Sequence, residues 1–181
     1  MIYMFCADGV EEVEALATLD VIRRAGLAVT TVGIDGKTVK GPHGISFIAD
    51  ATISEFENSH EECECVILPG GGVGTQTLSE NKTVCDFIKE VNAKGGVVAA
   101  ICAAPSVLGK QGLLQGRSAV CYPGFEKYLY GATVKSDKVV TDGNIITARG
   151  MGCAVLFGLQ IVAALCGTET ADKIGRSIML Y

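Results

Sequence analysis

One cysteine stands where the sequence allows nucleophilic chemistry. Cys102 follows the small and apolar run Val97–Ile101 and precedes Ala-Ala-Pro, which predicts a buried strand before it and a helix start after it. A sharp strand-to-helix turn exposes a side chain above the sheet, as in the nucleophile elbow of hydrolases. A helix N-terminus would also stabilise a thiolate and lower the pKa of the thiol. The residues alone leave two hypotheses open, a nucleophile or a small buried core residue.

A glycine-rich loop, Pro69–Gly72, follows a second apolar run, Cys65–Leu68. Glycines let the backbone approach another group closely, so N–H groups of this loop could bind a developing oxyanion together with the N–H of Ala103. Phosphate binding is a weaker alternative, because no Gly-Lys-Ser/Thr follows and the third glycine of a dinucleotide fingerprint is missing. An ordinary turn is the other alternative.

An acidic group, Glu11, Glu12 and Glu14, opens a predicted helix over Glu11–Ala25. Acids in a first turn are typical partners of the helix dipole, and this explains Glu11 and Glu12. Glu14 stands among apolar neighbours, so we expect its side chain to point inward, where burial would raise the pKa of the carboxyl. A protonated Glu14 could hydrogen-bond to a thiolate and later transfer its proton.

Histidine is scarce, since the chain has only His43 and His60. His60 lies in a polar stretch and is predicted to be exposed. His43 lies in a Pro-His-Gly turn, so its contribution to a site stays open, and a Cys-His dyad is possible but not indicated. No metal site is predicted, because Cys63-Glu64-Cys65 is too tightly spaced for a zinc knuckle and no second Cys/His pair lies nearby.

The elements that position these residues alternate between apolar strands and helices. This alternation predicts an α/β fold with a mostly parallel sheet covered by helices on both faces. In such a sheet the loops after Phe5, Leu68 and Ile101 meet at one edge, where sites collect. An antiparallel excursion is expected before Asp50. The predicted strands are Met1–Phe5, Leu27–Ile34, Cys65–Leu68 and Val97–Ile101, with a hairpin of Val139–Thr141 and Ile145–Ala148. The predicted helices, besides Glu11–Ala25, are Asn81–Ala93, Pro105–Leu114 and Cys153–Leu165, and a shorter amphipathic tail follows the last of them.

Length and composition narrow the class of protein. The 181 residues suit a single domain over residues 1–181, and 49% hydrophobic residues supply a core. A net charge of −5 without a Lys/Arg run argues against a nucleic-acid partner. The longest apolar stretch, Ala154–Leu165, is too short to span a bilayer, so no membrane association is expected. The N-terminus does not read as a signal peptide, and a cytoplasmic location with reduced cysteines is expected.

Three motifs together resemble the ThiJ/PfpI superfamily, and within it the branch of the parkinsonism-associated deglycase. They are Gly-Val-Glu-Glu-Val-Glu (9–14), Val-Ile-Leu-Pro-Gly-Gly (66–71) and Ala-Ala-Ile-Cys-Ala-Ala-Pro (99–105). The segments Asp20–Gly26, Asp50-Ala51 and Thr147–Gly150 extend the resemblance over nearly the whole chain. The resemblance implies a flavodoxin-like three-layer sandwich and a homodimer, for which the helix of Glu14 could provide the contact.

The resemblance also implies roles for individual residues. Cys102 would be the reactive cysteine, Glu14 its protonated partner, and Gly71 and Ala103 the donors of the oxyanion-binding N–H groups. A pocket around them would include Tyr122, His43, Gly72 and Arg149. The implied reaction is addition of the thiolate to small reactive aldehydes such as methylglyoxal, as a glutathione-independent glyoxalase or as a deglycase of glycated substrates, without a cofactor. The alternative is an oxidative-stress sensor or chaperone-like protein that uses oxidation of the same cysteine.

Two departures from the family pattern affect the expected chemistry. Many relatives have a histidine before proline where this chain has Tyr122, and a phenol is a poorer base near neutral pH. Proton transfer would then depend on Glu14 or on water. The second departure is Met151, which follows Arg149-Gly150 where relatives often have proline, and which could alter the wall of the pocket. In addition, Ala103 follows Cys102, whereas peptidase-like and amidotransferase-like relatives carry a histidine partner for their cysteine. Peptidase activity is therefore not expected unless His43 reaches Cys102.

Overall fold

The computed structural model describes residues 1–181 and contains eleven strands and seven α-helices. The strands are β1 Ile2–Cys6, β2 Val29–Gly33, β3 Thr38–Lys40, β4 Ser46–Ile48, β5 Ala51–Thr52, β6 Cys65–Leu68, β7 Val97–Ile101, β8 Ser118–Ala119, β9 Thr133–Val134, β10 Val139–Asp142 and β11 Ile145–Ala148. The α-helices are α1 Glu12–Arg24, α2 Ile53–Ser59, α3 Gly72–Glu80, α4 Lys82–Ala93, α5 Pro105–Lys110, α6 Ala154–Cys166 and α7 Thr168–Ser177. Short 3₁₀ turns occupy Glu126–Tyr128 and Met151–Cys153.

Seven strands form the central sheet, in the order β10-β11-β7-β6-β1-β2-β5. Neighbouring strands are parallel throughout, except for the edge pair β10–β11, which is the predicted antiparallel hairpin. Because the loops after β1, β6 and β7 leave the same edge of three adjacent strands, they meet as the sequence predicts. The α/β architecture with a mostly parallel sheet is confirmed.

Both faces of the sheet are buried, and this explains why the central strands β1, β6 and β7 consist of apolar and aromatic residues. In β1, Ile2, Met4 and Cys6 join the core under α1 and α6, whereas Tyr3 and Phe5 join the opposite core under α2, α4 and α5. Successive side chains of a strand point to opposite faces, so a sheet covered on both sides needs no polar residues in its strands. The two cores hold the strand ends, and therefore the site, in a fixed arrangement.

Two helices were not expected from the sequence. Helix α2 begins with a capping box in which the Thr52 side chain accepts from the N–H of Glu55 and Glu55 accepts from the N–H of Thr52. The Thr-x-x-Glu pattern was a readable signal for this helix. Helix α3 starts inside the glycine loop, at Gly72, without a side-chain cap, and the sequence has no such signal there.

The β3–β4 pair and helix α5 lie close to the positions predicted from the sequence. The segment before Asp50 forms the antiparallel pair β3–β4, and the helix predicted to reach Leu114 ends at Lys110 in a series of turns. No helix of the structure has both the length and the apolar character that crossing a bilayer requires.

Candidate active site

Cys102 occupies a strained turn between β7 and α5. Its φ of 65° lies in the left-handed region, which residues with a side chain rarely adopt. The surrounding backbone holds it there: its N–H donates to the Ala148 carbonyl at 2.9 Å, and its carbonyl accepts from the N–H of Tyr122 at 2.8 Å. The partly exposed side chain thus stands at the edge of the sheet in the geometry of a nucleophile elbow.

Two backbone N–H groups approach the Cys102 sulfur, those of Gly71 and Ala103. Gly71 has a φ of 96°, and a Cβ at this position would collide with the main-chain atoms of Gly9 and Glu11. Glycine is therefore required for the loop to bring its N–H to the sulfur. The two residues that the sequence proposed as oxyanion donors lie together at Cys102.

Glu14 is the third group at the sulfur. The side chain is fully buried, and its Oε2 accepts from the N–H of Gly70 at 2.9 Å. The other oxygen, Oε1, is buried and receives no hydrogen bond from a protein nitrogen or oxygen. The carboxyl lies next to Cys102, with Gly70 packed against both side chains, and each of the two groups shifts the pKa of the other. The expectation that Glu14 points inward is confirmed.

Burial governs the titration of this pair. Burial raises the pKa of Glu14 to about 7. Burial and the charge of Glu14 together raise the pKa of Cys102 to about 12, and the two N–H donors, which lower it, do not outweigh them. The expectation that the helix start lowers the thiol pKa is therefore wrong. The pair loses its first proton near pH 7 and its second near pH 12, and in between it carries one negative charge that carboxyl and sulfur can share.

An open cleft of about 500 Å³ adjoins the hydrogen-bond partners of this pair, Tyr122 and Glu11, although Cys102 and Glu14 do not themselves line it. Tyr122 and Arg149 line the cleft. The N–H of Tyr122 donates to the Cys102 carbonyl, and Arg149 follows Ala148, whose carbonyl accepts from the N–H of Cys102. His43 lines the same cleft. Gly72, also expected in the pocket, does not line it and instead begins α3. The remaining lining residues are Glu11, Pro123, Gly150, Met151, Gly152 and Cys153.

His43 is not hydrogen-bonded to Cys102. Its Nδ1 lies 2.8 Å from Oε2 of Glu12, and its backbone N–H donates to Oε1 of the same carboxyl at 2.8 Å. Sequence reasoning assigned Glu12 to the helix dipole and missed this contact, because the two residues are far apart in the chain. Glu11, Glu12 and His43 each bring one potential metal-ligand atom within 4.8 Å of the others, but Glu12 and His43 already satisfy each other.

Together, the fold and the site define a class: α/β proteins with a cysteine at a nucleophile elbow beside a buried acid. Comparison with known proteins identifies the family within that class. Residues 1–164 match the model of the DJ-1/PfpI family. The chain belongs to the DJ-1/PfpI family, and the resemblance seen in its motifs is confirmed.

Individual relatives match along nearly their whole length. The Parkinson disease protein 7 homolog of Danio rerio is 37% identical over 180 residues, covering 96% of this chain and 94% of the relative. The glutathione-independent glyoxalase DJR-1.2 of Caenorhabditis elegans is 32% identical over 171 residues, covering 94% and 90%. The solved structure of oxidized Toxoplasma gondii DJ-1 superposes with a TM-score of 0.93 at 33% identity, covering 98% of this chain and 97% of that one.

Proposed function

We propose that this protein is a cysteine-dependent enzyme acting on small reactive aldehydes, with glutathione-independent glyoxalase activity on methylglyoxal as its reaction. The observation that carries the proposal is the strained Cys102 with Glu14 and two backbone N–H groups at its sulfur. The glyoxalase of Caenorhabditis elegans, 32% identical over 171 residues, supports the choice of substrate class. Deglycase action on glycated substrates would use the same addition step.

Each group has a defined part in the first step. The reactive form is the one in which Glu14 keeps the proton and the Cys102 sulfur carries the negative charge. The sulfur adds to the aldehyde carbon, and the charge moves to the former carbonyl oxygen. The N–H groups of Gly71 and Ala103, which approach the sulfur in the free protein, are positioned to stabilise that charge. Glu14 then supplies the proton that completes the hemithioacetal.

The direct test is lactate formation from methylglyoxal by the wild type and by Cys102→Ser, without added glutathione. We expect the substitution to reduce the rate at least a hundredfold, because it removes the nucleophile while changing one atom. Cys166→Ser is the matched control, since this exposed cysteine lies outside the site. Background rates in both the wild type and Cys102→Ser would contradict the proposal.

A redox sensor is the second candidate function. One observation favours it: Cys102 is partly exposed beside an acid and two N–H donors, which would hold a sulfinate as well as an oxyanion. Selective oxidation of Cys102 by two equivalents of peroxide, in a protein without turnover, would favour the sensor. Oxidation spread over all eight cysteines would argue against it.

A homodimer and a cytoplasmic location stay predictions. Support for the dimer comes from α1, whose outer side exposes Val13 (44%) and Leu16 (37%) instead of polar residues. Two such patches could bury each other in an isologous contact. Light scattering at micromolar concentration should give twice the mass of the chain, and the mass of one chain would contradict the dimer.

A further inference from the structure

His43 has a defined orientation although its side chain is 68% exposed. The Glu12 carboxyl beneath it, 2% exposed, accepts from the His43 backbone N–H with one oxygen and meets Nδ1 with the other, both at 2.8 Å. With Nδ1 held by a carboxylate, Nε2 is the nitrogen left for the cleft. The tight turn brings Gly41 so close to the Glu12 side chain that there is no room for a Cβ at Gly41.

The cleft offers few other groups that can exchange a proton near neutral pH. The Glu11 carboxylate already accepts the N–H of Glu14 at 2.7 Å, as the cap of helix α1. The Arg149 guanidinium donates to the Ser136 carbonyl at 3.1 Å, and a guanidinium offers only hydrogen-bond donors. Tyr122 presents a phenol, which is a weak base in this range. His43 is the imidazole in the cleft and the better base.

We propose that His43, oriented by Glu12, is a catalytic base of this enzyme that moves a proton between the two carbonyl carbons of an α-oxoaldehyde bound to Cys102. The inference rests on the proposed function and adds to it the group that performs the second step. It also assigns Glu12 as a positioning residue, distinct from Glu14 at the sulfur.

The step balances without an oxidant or a cofactor. From the hemithioacetal, Nε2 of His43 removes the C1 proton, the C–H electron pair becomes the C1=C2 bond, and the C2 oxygen takes up a proton to give an enediol. The proton returns from His43 to C2, while the C1 hydroxyl loses its proton and becomes a thioester carbonyl. One water then cleaves the carbon–sulfur bond and releases lactate and the Cys102 thiol. C1 is oxidised and C2 reduced within the same molecule.

The groups around His43 predict the pH dependence of this step. The hydrogen bond and charge of Glu12 raise the pKa of His43, Glu11 adds to this, and partial burial opposes it. The other titratable side chains that line the cleft are Arg149, Tyr122 and Cys153. Because the neutral imidazole is the base, activity should rise with pH through the His43 titration. Glu12→Gln should shift that rise to lower pH.

The test compares His43→Gln with His60→Gln, which removes the other histidine, outside the cleft. We measure lactate formation from methylglyoxal and, separately, the rate at which iodoacetamide alkylates Cys102. His43→Gln should form lactate roughly a hundredfold more slowly, in line with the usual contribution of a general base. Its Cys102 alkylation rate should stay within twofold of the wild type, and His60→Gln should match the wild type in both measurements.

The outcomes separate this inference from the function on which it rests. Lactate formation at the wild-type rate in His43→Gln, with Cys102→Ser inactive, would overturn the role of His43 and leave the enzyme proposal standing. Equal background rates in the wild type and Cys102→Ser would overturn both. An unshifted pH profile in Glu12→Gln would contradict the positioning role of Glu12.

Discussion

Two carboxyl groups stand two residues apart on α1, and both are buried, yet their surroundings drive their pKa values in opposite directions. Burial raises the pKa of both, but at Glu12 two hydrogen bonds from His43 and the charge of its ring outweigh it and lower the pKa to about 2. At Glu14 the partners are a neutral N–H and a thiol, so burial dominates and the pKa reaches about 7. The charge of the partner, more than the depth of burial, separates the two acids.

Because their pKa values differ, the two carboxyl groups on this one helix turn can have different functions. Glu12 stays ionised and can orient a histidine, whereas Glu14 keeps a proton up to neutral pH and can share it with Cys102. Pairs of acids whose environments push their pKa values apart are a recurrent feature of enzymes that need both a charged and a protonated carboxyl. The comparison therefore assigns different roles to Glu12 and Glu14 in the proposed reaction.

The largest expected effect comes from substituting the glycine that packs against each acid, Gly70 beside Glu14 and Gly41 beside Glu12. A Cβ at Gly70 would lie 2.6 Å from Cys102 Cβ and 2.8 Å from the Ile101 carbonyl oxygen, and neither atom can move without the strand. The three atoms nearest to a Cβ at Gly41 all belong to the Glu12 side chain, which can shift more easily than backbone. We expect Gly70→Ala to cost roughly 4 kcal/mol of unfolding free energy and Gly41→Ala about half of that, by urea denaturation.

Gly72→Ala is the control for the loop, because a Cβ there meets open space and the φ is ordinary. Its stability should stay within about 0.5 kcal/mol of the wild type. Equal losses for Gly70→Ala and Gly41→Ala would show that the two acids are held with the same rigidity, contrary to the structure.

The next effect concerns stability as a function of pH. The native pKa of Glu14, about 7, lies above its ordinary value of 4.5, so between these pH values the native state binds more protons than the unfolded chain. Stability from this group is therefore present below pH 4.5 and is lost as the pH rises through 7, by about 3 kcal/mol in all. Glu14→Gln, which cannot ionise, should lack this loss in urea denaturation measured from pH 4.5 to 8.

Glu12→Gln is the matched variant for this measurement. The native pKa of Glu12 is depressed to about 2, so its contribution is present above pH 4.5 and is lost as the pH falls toward 2. Glu12→Gln should therefore keep the loss of stability that Glu14 causes between pH 4.5 and 7, and should remove only the loss that the raised pKa of His43 adds above pH 6.5. A wild-type slope in Glu14→Gln would show that Glu14 is ionised freely in the native state.

Much of the site was predictable because local sequence rules coincide there. An apolar run ending at Cys102, a proline in the next turn and a glycine loop after a neighbouring strand are enough to place the elbow and its two N–H donors together. The inward direction of Glu14 followed from its apolar neighbours. Helix α3 escaped prediction because its first residues are the glycines of the loop, which suppress the helical pattern.

Two features depended on tertiary contacts that the sequence does not show. The pairing of His43 with Glu12 joins residues 31 positions apart and is made by the β3–β4 hairpin folding back on α1. The raised pKa of Cys102 reflects burial and the charge of Glu14, which outweigh the local effect of the helix start. Local reasoning placed the groups correctly but gave the wrong direction for the thiol titration.

The most direct test of the account is the pH dependence of Cys102 alkylation by iodoacetamide, followed by mass spectrometry in the wild type and Glu14→Gln. If carboxyl and thiol share one proton, wild-type alkylation rises with the loss of the first proton, near pH 7, and this step disappears in Glu14→Gln. Alkylation that begins only in alkali, with the same profile in both proteins, would show that the sulfur carries no charge at neutral pH and would contradict the account.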